Sequence, residues 1–246
     1  MKFSNEINKY LIDEAFSPGL DIPFSAEKYP DQTRIDKILE LSKNKRVIHI
    51  GCADHLPLID EKIKNNKWLH ALLDESTAKC IGVDINQAAI DYIKKELGFN
   101  NVYCFDILND NFISSDDSHW DYMIFGEIIE HIDNPVAFMS QVREKYKEKV
   151  DKIIVTAPNV FNLLIIKDIK KNIENINTDH RYWFSPFTLT KVLIKSGFHN
   201  CELSFNERVK LPFLQAVLRR TKLLFGFKMQ FKANRFSNLI IIADFK

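Results

Sequence analysis

The chain has 246 residues, 46% of them hydrophobic, and a formal net charge of +1. This suffices for one large domain with a buried core, and the near-neutral charge makes nucleic acid an unfavoured partner. No run of about 18 apolar residues occurs, so we expect no membrane-spanning helix. The first residues, MKFSNEINKYLIDEAF, lack the apolar stretch of a signal peptide. The four cysteines form no CxxC pair and no zinc pattern, so we expect a reduced, cytoplasmic protein.

Apolar runs typical of strands alternate with helical patterns along most of the chain. In chain order, the predicted helices are 32–43, 57–77, 86–98, 133–149 and 185–198. The predicted strands are 46–52, 79–86, 101–108, 120–126, 151–159, 200–209 and 238–245. This alternation predicts an α/β fold: a doubly wound, Rossmann-like, mostly parallel sheet of about seven strands with helices on both faces. No clean crossover helix joins the last two strands, so the last strand is expected to be antiparallel.

Two segments lie outside this alternation. Residues 1–31 contain three prolines and a glycine, which predicts a cap or lid in front of a single domain, 32–246. Residues 208–235 carry eight basic residues and no acid, interleaved with phenylalanine and leucine at helical spacing. Three roles stay open for this insertion. It forms a helix packed on the domain, it binds an anionic membrane surface peripherally, or it binds phosphate groups of the substrate.

The loop after the first strand, IGCADH, disfavours a nicotinamide-dependent dehydrogenase. It keeps only Gly51 of the GxGxxG fingerprint. Asp84, at the end of the second strand, lies 33 residues after Gly51, where the NAD pattern expects about 20. Every chemically interesting stretch nevertheless follows a strand, where ligands bind in parallel sheets, and this favours an enzyme.

The successive motifs VIHIGCADH, IGVDIN, YCFDIL and WDYMIFGEIIEHIDNP, followed by HRYWFSPFTLTKVLIKSGF, resemble class I S-adenosylmethionine-dependent methyltransferases over roughly residues 32–200. The resemblance implies that Asp84 accepts hydrogen bonds from the ribose hydroxyls and Asp106 from the adenine amino group, with Phe105 and Ile107 as walls of the adenine site. Small residues in the first loop let the backbone approach the methionine part of the cofactor. The other cofactor-binding residues that the resemblance implies are Gly51, Cys52, Ala53, His55, Ile85 and Glu127.

The first loop departs from the family pattern. His49 replaces the usual acid, and Ala53 and His55 replace the second and third glycines. A loop of this type followed by KWLHALL is similar to methyltransferases associated with bacterial surface-polysaccharide synthesis. The departures also leave open a non-catalytic partner subunit with the same fold.

The stretch EIIEHIDNP, 127–135, follows the strand 120–126, beside the expected position of the transferred methyl group. Its spacing places Glu127, Glu130 and His131 on one face of a helical turn, and His180 is expected at the same cleft. ExxEH with a distant histidine resembles the metal site of small-RNA 2′-O-methyltransferases, and ubiquinone-pathway O-methyltransferases contain a related cluster. The resemblance implies that these four residues hold magnesium or manganese.

Two other interpretations of this stretch stay open. His131 or His180 is the catalytic residue, as a metal-free general base, or the stretch is structural. HExxH zinc chemistry is excluded by the order of the residues. The aromatic residues at 182–184 either stack on a sugar or pack in the core.

These observations predict an S-adenosylmethionine-dependent O-methyltransferase that acts on a sugar or glycan hydroxyl, with or without divalent metal. The alternatives are a quinone-like small molecule or an RNA 3′ end as acceptor. The sequence does not define the oligomeric state.

Overall fold

The computed structural model describes residues 1–26, 32–54, 56–110, 119–209 and 231–246. The helices in these ranges are α1 (Asn5–Leu11), α2 (Arg34–Ser42), α3 (Leu56–Lys64), α4 (Leu69–Ser76), α5 (Gln87–Lys95), α6 (Pro135–Tyr146), α7 (Leu163–Ile169) and α8 (Pro186–Lys195). The strands are β1 (Ser25–Ala26), β2 (Arg46–Ile50), β3 (Lys79–Asp84), β4 (Val102–Cys104), β5 (Trp120–Gly126), β6 (Val150–Pro158), β7 (His199–Arg208), β8 (Phe231–Lys232) and β9 (Phe236–Asp244). Two 3₁₀ turns are Ile129–His131 and Ala233–Arg235.

Seven of these strands form one sheet in the order β4-β3-β2-β5-β6-β9-β7. The pairs among β2 to β6 are parallel, whereas β9 is antiparallel to both β6 and β7. This confirms the predicted doubly wound sheet with an antiparallel last strand. The strand order reverses at β2, so the carboxyl ends of β2, β3 and β5 surround the crevice where such sheets bind ligands.

Alternate residues of each strand point to opposite faces of the sheet, and helices bury both faces. On β2, Ile48 belongs to the large core that α6 and α8 cover, with residues such as Met139 and Leu193. Val47 belongs to a second cluster, under α2 and α4, with Ile38. The continuous apolar pattern of β2 in the sequence therefore reflects helices on both faces.

Two of the predicted elements were wrong in extent. The single predicted helix 57–77 is broken into α3 and α4, where Asn66 adopts a positive φ of 53° and the buried Trp68 donates from its indole N–H to the Cys52 carbonyl at 3.0 Å. The predicted strand 101–108 ends at Cys104, because the next residues form a turn in which Asp106 accepts from the Leu108 amide. Helix α7 was not predicted.

The predicted helix starts agree with the structure. Asn86 caps α5 by accepting from the Ala89 amide. Asn134 caps α6 by accepting from the Ala137 amide, and Pro135 occupies its first turn.

The N-terminal segment packs against α8, one of the helices that cover the sheet. Lys191 on α8 donates to the Tyr10 carbonyl at 2.9 Å, and Asp13 pairs with Lys191 and Lys195. Strand β1 pairs with β8 in a separate two-stranded sheet. The predicted boundary between cap and domain falls within 27–31, outside the described residues, and stays a prediction.

The predicted basic insertion 208–235 falls mainly on residues 210–230, which lie outside the described ranges, so its membrane contact also stays a prediction. Within the described part of the chain, none of the helices has the length and apolarity needed to cross a bilayer.

Candidate functional site

The first loop, after β2, contains a residue position that only glycine fills without strain. Gly51 has a φ of +69°, and a Cβ atom there would collide with Cδ1 of Ile128 from the loop after β5. Its amide donates to the Val83 carbonyl at 2.8 Å. The glycine therefore lets the loops after β2 and β5 approach each other at the crevice.

The side chains after Gly51 point away from the crevice. Cys52 and Ala53 are fully buried in a small cluster with Trp68, and burial raises the pKa of the Cys52 thiol. Only their backbone is available for the cofactor contact that the sequence implied. His55 lies outside the described residues, so its predicted role stays a prediction.

Asp84 lies at the carboxyl end of β3, as predicted, and connects two loops. Its Oδ2 accepts from the Ala53 amide at 3.2 Å, and its Oδ1 accepts from the Asn86 amide at 2.9 Å. A carboxylate has about four lone-pair sites, so further donors such as ribose hydroxyls can still bind. The neighbouring Ile85 side chain is 79% exposed and offers an apolar surface beside this carboxylate.

Asp106 is held within its own turn. Its oxygens accept from the Leu108 amide at 2.9 Å and from the Asn109 side chain at 2.8 Å. Burial opposes ionisation, but these hydrogen bonds outweigh it and lower the pKa of Asp106. Phe105 and Ile107 are each 5% exposed and belong to the large core, and their role as walls of the adenine site stays a prediction.

His49, in the position of the family's usual acid, is a buried core histidine. It is 4% exposed and stacks on His70, with ring centroids 5.7 Å apart. Burial, the neighbouring His70 and Arg34 together lower the pKa of His49 well below its usual range. A neutral imidazole pair therefore replaces a carboxylate beneath the first loop.

The loop after β5 is held in a conformation that is uncommon for a residue other than glycine. Glu127 has a φ of +60°. Its amide donates to Thr156 Oγ1 at 3.0 Å, and its carboxylate accepts from the Asn238 side chain at 2.8 Å. Outliers of this kind are common at functional sites. Contacts with β6 and β9 thus fix the backbone just before the 3₁₀ turn.

Glu130 is a buried carboxyl group without a hydrogen-bond partner. It is 0% exposed, and neither carboxylate oxygen has a partner among the described residues. Burial and the negative charge of Glu127 raise the pKa of Glu130. A buried charge in such a position requires a neighbouring cation or proton.

Glu130, His131 and His180 come together as the sequence predicted. One ligating atom from each lies within 4.8 Å of the others. His131 Nδ1 lies 3.2 Å from the Asp179 carbonyl, which requires the proton on Nδ1 and leaves Nε2 free. His180 Nδ1 is buried without a partner, and burial and His131 lower the pKa of His180. Glu127, which was expected in the same group, contacts Asn238 and is not part of it.

The loop that carries His180 is attached directly to the 3₁₀ turn. The Arg181 amide donates to the Glu130 carbonyl at 2.8 Å, and the Arg181 side chain pairs with Asp133. These contacts of Arg181 with Glu130 and Asp133 hold the neighbouring His180 beside the 3₁₀ turn.

Arg34 is a site residue that the sequence analysis missed. Its Nη1 is buried without a partner and lies 3.3 Å from the position of a Cβ at Gly126. The guanidinium is close enough to Glu130 and His49 to influence both pKa values. No local motif marks this residue, because the start of α2 is distant in sequence from the loops it faces.

The three aromatic residues after Arg181 have different roles. Phe184 is 4% exposed and belongs to the core. Tyr182 is 39% exposed and donates from its hydroxyl to the Asp133 carbonyl, while the Trp183 indole donates to Glu174 at 3.1 Å. Core packing is confirmed for Phe184 alone, and Tyr182 presents a surface near the cluster.

Comparison with known proteins agrees with this architecture. The sequence profile of a family described as "Methyltransferase domain" matches residues 27–203, more than half of the chain. No curated protein matches the chain.

Three solved structures illustrate the likeness of fold. A SAM-dependent methyltransferase from Archaeoglobus fulgidus is 20% identical, with a TM-score of 0.52 over 86% of this chain and 91% of that one. A possible histamine N-methyltransferase from Thermotoga maritima is 14% identical, with a TM-score of 0.53 over 86% of this chain and 87% of that one. The small RNA methyltransferase HEN1 is 20% identical, with a TM-score of 0.52 over 93% of this chain and only 27% of that one.

Proposed function

Because the chain belongs to the methyltransferase-domain family, we propose that it transfers the methyl group of S-adenosylmethionine to a hydroxyl oxygen of a sugar, with help from a divalent metal ion. The observation that carries this proposal is the group Glu130, His131 and His180 at the carboxyl edge of the sheet. Oxygen and imidazole ligands on rigid loops suit the activation of a hydroxyl group.

The cofactor is proposed to lie across the loops after β2, β3 and β4. S-adenosylmethionine supplies an electrophilic methyl group on its sulfonium sulfur. Asp84 would accept from the ribose hydroxyls, Ile85 would contact the adenine ring, and Asp106 would accept from the adenine amino group. The partnerless Nη1 of Arg34 would donate to the carboxylate of the methionine part.

A divalent ion fits the chemistry of the three-residue group. Glu130 offers two unpartnered oxygens, and the tautomer of His131 leaves Nε2 free to bind a metal. Two imidazoles with one carboxylate suit manganese better than magnesium or calcium, which prefer oxygen ligands, and the same set also occurs in catalytic zinc and non-haem iron sites. Bound there, the ion would lower the pKa of an acceptor hydroxyl. Arg181, through its amide contact with Glu130, holds the two ligand-bearing loops together.

Direct proton transfer is the second candidate for activating the hydroxyl. His180 has a lowered pKa and an unpartnered Nδ1, so it is neutral near pH 7 and can accept a proton. Both candidates use the same side chains, and they differ in whether a chelator abolishes transfer.

A sugar is the preferred acceptor because two neighbouring hydroxyls can chelate one ion and the exposed ring of Tyr182 is near the cluster. We include lipid-linked or nucleotide-linked precursors of surface polysaccharides in this class. An RNA 3′ end also carries two neighbouring hydroxyls, but the net charge of +1 gives little general attraction to a polyanion. A cytoplasmic location is part of the proposal.

The test is a methyl-transfer assay with labelled S-adenosylmethionine and a matched acceptor panel. The panel contains methyl glycosides with and without neighbouring hydroxyls, a short RNA, and a dihydroxybenzoate, each with manganese or with EDTA. We expect transfer to a glycoside with neighbouring hydroxyls, abolished by EDTA. Transfer only to RNA or the dihydroxybenzoate would overturn the sugar assignment, and transfer in EDTA that His180→Ala abolishes would replace the metal by a histidine base.

A further inference from the structure

A cavity of about 840 Å³ lies between the N-terminal segment and the start of α8. This volume is within the range of small-molecule sites. Apolar side chains dominate its lining, and those that the argument uses are Phe16, Leu20, Phe24, Phe161 and Phe187. Of these, Phe16 is 88% exposed, Phe161 38% and Leu20 37%. The chain thus holds several large apolar groups open to solvent around one concave surface.

Three charged side chains line this cavity, Asp13, Glu14 and Lys191, and two of them pair with each other. Asp13 accepts from Lys191 at 2.6 Å and from Lys195 at 2.7 Å, and these hydrogen bonds lower the pKa of Asp13 to about 2. Lys191 also donates to the Tyr10 carbonyl. Because Asp13 and Lys191 are already paired and the carboxylate of Glu14 would repel an anion, the lining favours an apolar occupant that carries no negative charge.

The cavity lies at the same edge of the sheet as the metal-ligand group. Phe161 follows β6, and the preceding Asn159 pairs with Phe184 in an isolated bridge. The lining residue Ser185 is five residues from His180. Five residues span at most about 18 Å, so a single extended molecule can reach from the cavity to His180.

We propose that this cavity binds the apolar part of an amphipathic acceptor, a glycolipid-like molecule whose sugar lies at Glu130, His131 and His180 while its alkyl chain lies among Phe16, Leu20 and Phe161. The inference rests on the proposed methyl transfer to a sugar and adds the substrate class. It also assigns a role to the N-terminal segment, which closes the cavity on one side.

The test is calorimetric titration with methyl, hexyl and octyl β-D-glucopyranoside, each below its micelle-forming concentration. Each methylene removed from water increases affinity about fourfold, so octyl glucoside should bind roughly fifteenfold more tightly than hexyl glucoside. Leu20→Asp, which places a charge in the cavity, should weaken octyl glucoside binding by more than about tenfold. The matched control is Ile63→Asp on α3, since Ile63 is also 37% exposed but does not line the cavity.

S-adenosylhomocysteine titration of the same samples separates this inference from the proposed function. If S-adenosylhomocysteine binds but affinity does not depend on alkyl length, or if both Asp variants behave alike, the cavity assignment is wrong. If Leu20→Asp instead dissociates a dimer in sedimentation without changing glucoside binding, the cavity is covered by a second copy and the inference also fails. Absence of S-adenosylhomocysteine binding contradicts the proposed function itself.

Discussion

Around Asp84 the polar groups are paired within the chain, whereas around Glu130 they are not. Asp84 accepts from the backbone amides of two loops, while both Glu130 oxygens and His180 Nδ1 are buried without a hydrogen-bond partner among the described residues, and His180 Nε2 lies 3.9 Å from Glu130 Oε1. Both regions lie at the same edge of the same sheet. The difference indicates that the polar groups of the loops after β2 and β3 are hydrogen-bonded without a ligand. The buried polar groups of the loop after β5 gain their partners only when a cation or substrate binds.

Glu130→Gln should have the largest effect, because it removes the buried carboxylate that lacks a hydrogen-bond partner. Loss of a metal ligand should lower methyl transfer by more than about 100-fold, the upper range for residues that only support ligands. Because the pKa of Glu130 is raised to about 8, the metal-free protein must take up a proton to fold near pH 7, whereas glutamine needs none, so Glu130→Gln should gain about 1 kcal/mol or more in its free energy of unfolding. Thermal melts in EDTA check the second expectation.

The matched control for this variant is Glu127→Gln in the same loop. A glutamine oxygen can still accept from Asn238, so activity should change far less than in Glu130→Gln, although loss of the Glu127 charge relieves one cause of the raised pKa of Glu130. If the two variants have the same activity and stability, the contrast between partnered and unpartnered carboxylates does not explain the site.

Asp84→Ala should have the next largest effect, on affinity for S-adenosylhomocysteine. The carboxylate is proposed to bind two hydroxyls, and hydrogen bonds to charged groups contribute about 1.5–3 kcal/mol each, so the Kd should rise by about 100-fold. Asp106→Ala should raise it by only about tenfold, since Leu108 and Asn109 already occupy much of that carboxylate. Calorimetry of both variants checks the ranking, and a reversed order would show that adenine recognition dominates.

Arg34→Ala should weaken S-adenosylhomocysteine by about tenfold or more through the loss of a charge-assisted hydrogen bond. It should leave 5′-methylthioadenosine unaffected, because that compound lacks the amino-acid part. Lys37→Ala, on the same helix, is the control. Equal losses for both nucleosides would mean that Arg34 only supports the fold of the crevice.

The smallest effect is expected for Gly51→Ala, which changes the contact between the two regions at Gly51 and Ile128. Gly51→Ala combines a left-handed backbone with a collision, whereas Gly98→Ala has a similar φ of +78° and nothing within 4 Å of a new Cβ. Gly51→Ala should therefore reduce the free energy of unfolding by about 1 kcal/mol more than Gly98→Ala. In the Ile128→Ala background, Gly51→Ala should cost no more than Gly98→Ala in urea titrations, and an excess that persists would contradict the collision.

The sequence predicted the sheet, the antiparallel last strand and the meeting of Glu130 with His180, because strand ends in a parallel sheet converge on one edge. It did not predict that Phe105 is buried, since short motifs do not define which way a side chain points after a strand ends. Arg34 was missed because its approach to Gly126 depends on how α2 packs. The pairing of Glu127 with Asn238 involves residues 111 positions apart, a contact with no local signal.

The central claim is that Glu130, His131 and His180 bind a divalent cation. The most direct measurement is electron paramagnetic resonance of free manganese during titration with the wild-type protein, Glu130→Gln and Glu127→Gln. The account predicts that the wild type and Glu127→Gln each take up about one ion per chain and that Glu130→Gln takes up none. Equal uptake by all three proteins, or uptake by none of them, would contradict the claim.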